Sequence, residues 1–409
     1  MMIFIDNLSK KEYTHFSDNH KKAHFLQSYA WGEFCKKGKN QIPKYVGMKN
    51  SKGILVATAL ILLKKMPLGY SYGYCPRGFL IDYENKKYIK DFTIFLKKYM
   101  KDNKIIYIKF DPDIKYQDID ENACPIKGGK NNYDLYKYLI SLGYKHGGFY
   151  KLYNGNQPRY TFRINLKKDK FEEVEDCFDN SFKKSIKRSY QYDLEIDNNA
   201  NAAAFYDLMK LNSAKDGFNP RSCEYYKYFT EEFSKDNKVK FFNVKIKPKK
   251  ILSKINNEIK EKEELLKTAT KKQADINNQL KRLNKEKNEF SKYDVDEMLI
   301  CSLICVYAGN YAWSLYIGNN ELGNLTFAVS RSYYEAIKDS FDRGFSFFDL
   351  FGTIGDPKTN YKNLANLHDF KRKFGDEYIE FIGEFDLVNK KFLYKILPVL
   401  LKIYRKLKK

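Results

Sequence analysis

Long hydrophobic runs are missing from this sequence of 409 residues. A helix that crosses a membrane needs roughly 18 or more consecutive apolar residues, and no stretch here reaches that length. The N-terminus also lacks the basic start and long apolar core of a signal peptide. We therefore expect a cytoplasmic protein, and contact with the inner face of a membrane stays open.

Cysteine and histidine are too few and too scattered for two kinds of site. The seven cysteines are an odd number, and their spacing describes no disulfide framework. The five histidines are not paired with cysteines at the spacing of metal ligands. We predict no metal, and the apolar run around Cys301 and Cys305 is typical of a buried strand.

Acidic residues are outnumbered, with 51 Asp and Glu against 74 Lys and Arg and a net charge of +23. Such a surplus favours polyanionic partners, which are nucleic acid, nucleotide-linked substrates or an anionic membrane surface. A lysine-rich composition bias is the alternative explanation. The hydrophobic content of 43% is enough for packed cores, and the length indicates two domains.

Short apolar strands alternate with amphipathic helices in two successive parts of the chain, which predicts an α+β fold with mixed sheets. The predicted strands are Gly53–Lys64, Lys104–Phe110, Arg159–Leu166, Lys238–Ile246, Met298–Ala308, Tyr311–Ile317 and Phe345–Phe351. The predicted helices are Lys86–Lys101, Tyr133–Leu142, Phe171–Tyr190, Asn201–Ser213 and Arg331–Arg343.

Residues 249–292 contain no glycine or proline and interrupt this alternation. Apolar residues recur there at spacings of three and four between charged residues, which predicts a coiled-coil seam. The seam falters near Lys267–Asp275, so a hairpin of two helices fits better than one rod. We predict an arm over 248–294 that either grips RNA or serves as a spacer. An exposed arm also makes a homodimer plausible.

Two further segments are strongly basic. The tail Lys390–Lys409 joins an apolar face to a basic one, so it either docks on the core or contacts a membrane peripherally. A second cluster suits phosphate contacts with RNA, with a solvated helix face as the alternative. Its members are Lys183, Lys184, Lys187 and Arg188.

Several strings, in this order over nearly the whole chain, together resemble the FemABX family of peptidoglycan-bridge aminoacyltransferases. They are FLQSYAW (25–31), YCPRGF (74–79), FDPD (110–113), Gln157–Leu166, SFKKSIKRSYQY (181–192), FDLFGTIG (348–355), HDFKRKF (368–374) and IGEFDL (382–387). Each string alone is a weak signal, and their order and spacing make the resemblance specific.

The resemblance implies two tandem GNAT-like (acetyltransferase-like) domains with an inserted antiparallel helical-hairpin arm. The first domain covers 1–156 and is completed by 384–409, and the second covers 157–383. The resemblance also implies a transferase that moves an amino acid from aminoacyl-tRNA to a side-chain amine of the peptidoglycan stem peptide. The acceptor is UDP-MurNAc-pentapeptide or lipid II, and no cofactor is expected.

The resemblance places two residues at the reaction. Lys371 lies between aromatic residues in FKRKF (370–374) and would stabilise the tetrahedral oxyanion. Asp111 follows a strand and would orient the acceptor ammonium or accept its proton. The simpler alternatives are a solvated basic cluster for Lys371 and a turn-capping carboxylate for Asp111.

The resemblance assigns Arg221, Tyr225 and Lys36 to the pyrophosphate of the acceptor. Positions 221 and 225 share a face if they lie on one helix, and an arginine fork suits phosphate. Tyr316 is a candidate contact for the stem peptide or a phosphate, or else an ordinary strand aromatic.

Three other functions remain open. An RNA- or tRNA-binding protein without transferase activity explains the charge and the arm. An acyl-CoA-dependent GNAT enzyme would need a glycine-rich pyrophosphate turn that is missing here. A membrane scaffold would depend on the basic tail.

Overall fold

The computed structural model describes residues 2–217, 219–268 and 272–398. Its strands are β1 Ile3–Ile5, β2 Ile42–Lys49, β3 Leu55–Lys65, β4 Ser71–Cys75, β5 Leu80–Ile81, β6 Ile105–Phe110, β7 Lys115–Gln117, β8 Tyr144–His146, β9 Tyr160–Asn165, β10 Glu195–Asp197, β11 Val239–Ile246, β12 Met298–Ala308, β13 Tyr311–Asn319, β14 Phe347–Asp349, β15 Glu377–Phe381 and β16 Phe385–Val388.

The α-helices are α1 Lys10–Asn19, α2 Tyr29–Lys39, α3 Lys86–Asp102, α4 Tyr133–Ser141, α5 Phe171–Asp176, α6 Asn180–Ser189, α7 Ala202–Asp216, α8 Cys223–Ser234, α9 Pro248–Thr268, α10 Gln273–Phe290, α11 Glu321–Leu325, α12 Ala328–Asp342 and α13 Lys362–Arg372. Short 3₁₀ turns occupy Phe25–Gln27, Pro67–Gly69 and Tyr190–Tyr192. Residues 391–398 are also helical.

The strands form two mixed sheets, as the α+β prediction requires. The first has the order β1-β2-β3-β4-β6-β16-β8, with β5 on β3, and the second has the order β10-β11-β12-β13-β14-β9-β15-β7. Each sheet contains one parallel pair of strands among antiparallel neighbours. The pair is β4 and β6 in the first sheet and β13 and β14 in the second. The predicted strands and most predicted helices are confirmed within a few residues.

The two sheets exchange strands. β7 comes from the first half of the chain and pairs with β15 in the second sheet. β16 comes from near the end of the chain and pairs with β6 and β8 in the first sheet. The segment 384–409, which the sequence assigns to the first domain, therefore begins with a strand of the first sheet.

A shared hydrophobic core joins the two halves. It packs aromatic residues of α2 and leucines of β3 from the first half against α8, β12 and β13 from the second. Phe34, Phe229 and Trp313 are all almost fully buried in it. Burial of aromatic side chains contributes strongly to stability, so the halves hold each other in place.

One predicted helix is wrong. The pattern over Phe171–Tyr190 predicts a single helix, but α5 ends at Asp176 and α6 begins at Asn180. Asp179 adopts an extended backbone, and its side chain accepts a hydrogen bond of 2.7 Å from the Ser181 N–H. This N-cap starts a new helix, because a capping carboxylate satisfies an N–H that has no partner within the helix.

The arm is a pair of helices, α9 and α10, inserted between two neighbouring strands. β11 and β12 pair with each other, with Ile246 opposite Met298 at the base of the arm. Ile251, Ile255 and Phe290 bury the base of the arm against the second sheet. The base is therefore part of the folded body, and the outer turns are exposed.

Two findings concern membranes. Within 2–217, 219–268 and 272–398, no helix is both long enough and apolar enough to span a bilayer. The predicted membrane contact of the basic tail falls largely on residues 399–409, which lie outside the described residues.

We predict that Phe290→Ala destabilises the protein by about 3–5 kcal/mol, because it removes a fully buried ring from the base of the arm. Urea unfolding measures the change. Phe392→Ala is the matched control, because Phe392 is 73% exposed and its loss should cost no more than about 0.5 kcal/mol. Equal effects of the two substitutions would contradict the placement of the arm.

Candidate active site

Asp111 lies directly after β6, and only 3% of its surface is exposed. Its carboxylate accepts hydrogen bonds from the Tyr74 hydroxyl at 3.0 Å and from the Arg77 N–H at 2.8 Å. Burial raises the pKa of Asp111 to about 7, even though Arg77 opposes the shift. A carboxyl group with that pKa can both accept and release a proton near neutral pH.

Lys371 lies in the last turn of α13 and is 7% exposed. Its ammonium donates hydrogen bonds to the carbonyl oxygens of Phe351 and of Gly352, the latter at 2.7 Å. Burial lowers the pKa of Lys371 to about 7, although the charge of Asp349 opposes the shift. An ammonium has three N–H donors, so these two carbonyls leave one donor for another acceptor.

The loop that receives Lys371 has an unusual backbone. Phe351 and Gly352 have φ angles of 48° and 59°, so two successive residues are in the left-handed region. A side chain at Gly352 would lie 2.7 Å from the Pro158 ring, which means that only glycine fits against the proline. This tight turn holds both carbonyls against one buried ammonium.

Arg163 of β9 bridges the two loops that carry these groups. Its Nη2 lies 3.1 Å from Asp113 and 2.9 Å from Asp349, and its Nε donates to Asp349 at 3.0 Å. Burial alone would raise the pKa of Asp113, but Arg163 together with Lys22, His24 and Arg77 outweighs burial and holds that pKa well below its usual range. Because all three side chains are buried, the bridge fixes the spacing between the loops.

A second chain of contacts connects Asp111 to Lys371. The Arg77 guanidinium donates to the Pro158 carbonyl at 2.6 Å. The backbone N–H of Arg77 donates to the Asp111 carboxylate. The Pro158 ring in turn packs on Gly352, whose carbonyl accepts from Lys371. The structure therefore links the two predicted catalytic residues through Arg77, Pro158 and Gly352.

A narrow pocket opens beside Asp111. Arg77, Arg159 and Glu384 contribute the other charged groups of its lining, and Phe381 closes one side. Gly148, Gly155 and Gly383 also line it, so backbone rather than side chains forms part of the wall. The pocket is thus small, highly charged and adjacent to a titratable carboxyl group.

A separate cluster forms around Arg221, Tyr225 and Tyr316. The two tyrosine hydroxyls are hydrogen bonded at 2.7 Å, and the Arg221 guanidinium lies 5.6 Å from the Tyr225 ring. The structure brings these three predicted residues together, with Arg221 exposed at the rim. Arginine and tyrosine donors in this arrangement suit a phosphate group.

Lys36 does not join this cluster. Its side chain is 65% exposed, and its ammonium lies 4.0 Å from Glu33. Lys39 lies there instead, with its ammonium 4.2 Å from the Trp31 ring and 5.6 Å from the Tyr225 ring. Desolvation by the neighbouring groups and repulsion from Arg221 lower the pKa of Lys39, although part of its side chain stays open to solvent.

Helix periodicity is the signal that could have found Lys39. Cys35 is buried against the same aromatic side chains as Trp31, and Lys39 follows Cys35 by four residues. Residues four apart lie on one face of a helix. Similarly, Arg159, which directly precedes β9, and Thr161 and Arg163 within it alternate along the chain. All three are buried, which is uncommon for arginine.

The basic helix α6 lies beside the end of α13. The Asp179 N–H donates to the Lys373 carbonyl at 2.9 Å, and the Phe182 and Phe374 rings are 4.0 Å apart. Lys184, Lys187 and Arg188 are exposed, whereas Lys183 is partly covered and lies 3.8 Å from Asp176. The basic face therefore borders the helix that carries Lys371.

No three His, Cys, Asp or Glu side chains of the described ranges lie where they could hold a metal ion together. The charged groups described above are arginines, lysines and carboxylates, and several of them pair with one another. What this arrangement can do directly is move protons and bind anions.

Known proteins similar to this chain share its length and fold. Residues 8–402 match the model of the FemAB family. The lipid II:glycine glycyltransferase of Staphylococcus epidermidis strain RP62A is 27% identical over 98% of this chain and 99% of the relative. The enzyme of that name from Staphylococcus aureus strain USA300 is 25% identical over the same shares. The crystal structure of FemX superposes with a TM-score of 0.77 at 23% identity, covering 97% of this chain and 99% of that one, which confirms the fold.

We predict that Asp111→Asn changes stability in a pH-dependent way. The raised pKa means that the ionised carboxylate costs stability above about pH 7, and that this cost disappears as the group is protonated towards pH 4. Asparagine cannot ionise. Relative to wild type, the free energy of unfolding of the variant should therefore rise between pH 4 and pH 8, on the order of 2–4 kcal/mol.

Urea unfolding at the two pH values measures this difference. Asp342→Asn is the control, because the Asp342 side chain is 55% exposed. A difference between Asp111→Asn and wild type that is the same at both pH values would contradict the environment described for Asp111.

Proposed function

The chain belongs to the FemAB family of aminoacyltransferases, and from that membership we propose that it builds the peptide bridge of peptidoglycan. In this proposal it transfers an amino acid from aminoacyl-tRNA to a side-chain amine of a precursor's stem peptide. The names of the relatives favour lipid II as the acceptor and glycine as the amino acid. UDP-MurNAc-pentapeptide is the alternative acceptor.

The observation that carries the proposal is the pairing of Asp111 and Lys371. Both are buried, both have pKa values shifted to about 7, and Arg77, Pro158 and Gly352 link them. An acid and a base whose environments move their pKa values into the neutral range are typical of a site for proton transfer.

The reaction is attack of an amine on an ester. The nitrogen of the neutral amine forms a bond to the ester carbonyl carbon, and the carbonyl oxygen becomes an oxyanion. Asp111 accepts a proton from the attacking nitrogen, and the remaining N–H of Lys371 stabilises the oxyanion. The oxyanion then re-forms the carbonyl as the carbon–oxygen bond to the ribose breaks, and the ribose oxygen takes up the proton that Asp111 accepted and leaves as a hydroxyl group.

The Arg221, Tyr225 and Tyr316 cluster is proposed to bind the diphosphate of the acceptor. Both candidate acceptors carry a diphosphate next to the sugar, so the same donors would serve either one. Lys39 supplies the lysine of this site, since its ammonium lies at the Tyr225 ring and that of Lys36 does not. With a lipid-linked acceptor, the reaction would take place at the membrane surface.

The donor tRNA is proposed to lie along α6. Lys184, Lys187 and Arg188 are exposed on that helix, and its start adjoins the end of α13. Contacts with phosphate position RNA without reading its sequence. An acceptor stem on this face would place its 3′ end near Lys371.

We predict that Lys371→Met lowers kcat about 10²- to 10³-fold and changes the KM for the acceptor little, because the donor acts on the oxyanion. The assay follows labelled amino acid from a mixed aminoacyl-tRNA pool to lipid II and, separately, to UDP-MurNAc-pentapeptide. The control is Lys362→Met, which changes an exposed lysine at the start of the same helix.

No transfer by wild type to either acceptor, with tRNA still bound, would reject the transferase proposal and favour an RNA-binding protein. Transfer that survives Lys371→Met unchanged would reject the role of Lys371 alone. Treatment of the donor pool with ribonuclease before the assay tests whether the amino acid must come from tRNA.

We predict that Lys39→Met raises the KM for the acceptor about tenfold or more, because it removes a charged donor to phosphate. Lys36→Met, in contrast, should change the KM by less than about twofold, since the Lys36 side chain is 65% exposed and its ammonium lies near Glu33. The reverse order of the two effects would show that the sequence motif, and not the structure, identifies the correct lysine.

A further inference from the structure

Arg159, at the start of β9, has a hydrogen-bonding group left over. Its Nη1 donates to the Tyr160 hydroxyl at 3.0 Å, and its Nη2 lies 2.7 Å from Glu380. The guanidinium also lies 4.7 Å from the Phe149 ring. Arg159 is only 6% exposed, yet its Nε has no hydrogen-bond partner anywhere in the part of the chain that the structure describes.

The free Nε faces the pocket beside Asp111. A side chain at Gly383 would lie 3.7 Å from this nitrogen, and Gly383 lines the pocket. That side chain would first meet the His146 Nε2 atom, at 2.8 Å, so the space beside the N–H is narrow and glycine keeps it open. A buried arginine donor without a partner costs free energy, so a ligand that supplies an acceptor atom there would bind favourably.

The charges of the pocket come in both signs. Asp111 and Glu384 are acidic, whereas Arg77 and Arg159 are basic. Lys109 already pairs with Glu384 at 3.0 Å and with Asp386 at 3.0 Å. The Asn156 N–H also donates to Glu384, so Glu384 already has two partners, and the pocket offers Asp111 to an amine and the Arg159 N–H to an anion.

A ligand that fits both groups carries an amine and a carboxylate close together. The aminoacyl end of the donor has an amine but no carboxylate, because that carboxyl group is esterified to the ribose. A lysine side chain on the acceptor likewise ends in an amine alone. A diamino dicarboxylic acid, in contrast, bears a carboxylate on the carbon that carries its side-chain amine.

We propose that the acceptor residue is a diamino dicarboxylic acid, with its side-chain amine at Asp111 and the adjacent carboxylate bound by Arg159. This inference rests on the proposed function and specifies its substrate class. Arg159 is then a binding residue that determines which stem peptides are used. A site built to bond a polar group rejects an analogue that lacks the group, because its own donor is left unpaired.

The test compares three acceptors with wild-type enzyme. They are lipid II, or UDP-MurNAc-pentapeptide, that carries at its third position 2,6-diaminopimelate, the same residue with the side-chain carboxylate amidated, or lysine. We expect kcat/KM to be at least about tenfold higher for the free carboxylate than for either of the others.

Arg159→Met should lower kcat/KM for the diaminopimelate acceptor at least about tenfold more than for the lysine acceptor. Arg343→Met is the control, because Arg343 also packs on aromatic rings, at 4.0 Å from Tyr307, but lies outside the pocket. The control should leave the ratio of the two kcat/KM values unchanged. If Arg159→Met does not fold, the amidated acceptor still tests the carboxylate with wild type.

Equal kcat/KM for the three acceptors, or a preference for lysine, would overturn the inference and leave the proposed function standing. Transfer to none of the three would instead reject the proposed function. The two failures are therefore distinguishable in one experiment.

Discussion

The buried ion bridge from Asp113 through Arg163 to Asp349 is the interaction on which the candidate site depends. It joins the loop after β6 to the last residue of β14, and β6 and β14 belong to different sheets. Removing one member of such a bridge would leave a buried charge unpaired, at a cost of about 3–5 kcal/mol. The bridge therefore holds the two segments together. It also fixes the distance at which an amine and an ester carbonyl would meet.

Burial away from water explains the shifted pKa values of both candidate catalytic groups. Burial raises the pKa of Asp111 and lowers that of Lys371, because it penalises the charged form of each. Backbone groups hold the two side chains, through the Arg77 N–H on one side and two carbonyls on the other. Their geometry thus follows from main-chain turns rather than from mobile side chains.

Patterns along the chain predict the elements well but the site only in part. Apolar residues at helical spacing define α3, and the run of small and branched residues defines β3, because one element determines each pattern. The new helix at Asp179 depends on a single capping bond. Lys39, and not Lys36, lies at the Tyr225 ring because of how α2 packs on α8. Arg159 and Arg163 form ion pairs with residues far along the chain, Glu380 and Asp349 respectively. Spacing in the sequence cannot reveal such pairs.

The exchange of β7 and β16 between the sheets has a consequence for how the protein is made. The first sheet stays incomplete until β16 has left the ribosome, and β16 ends at Val388 of 409 residues. N-terminal domains usually fold first during synthesis, while the rest of the chain is still being added. Here the first sheet would wait until the strands of the second sheet have been synthesised, because β16 follows β15 in the chain, with the edges of β6 and β8 unpaired in the meantime. A nascent chain of this protein is therefore exposed to aggregation for longer than its length alone suggests.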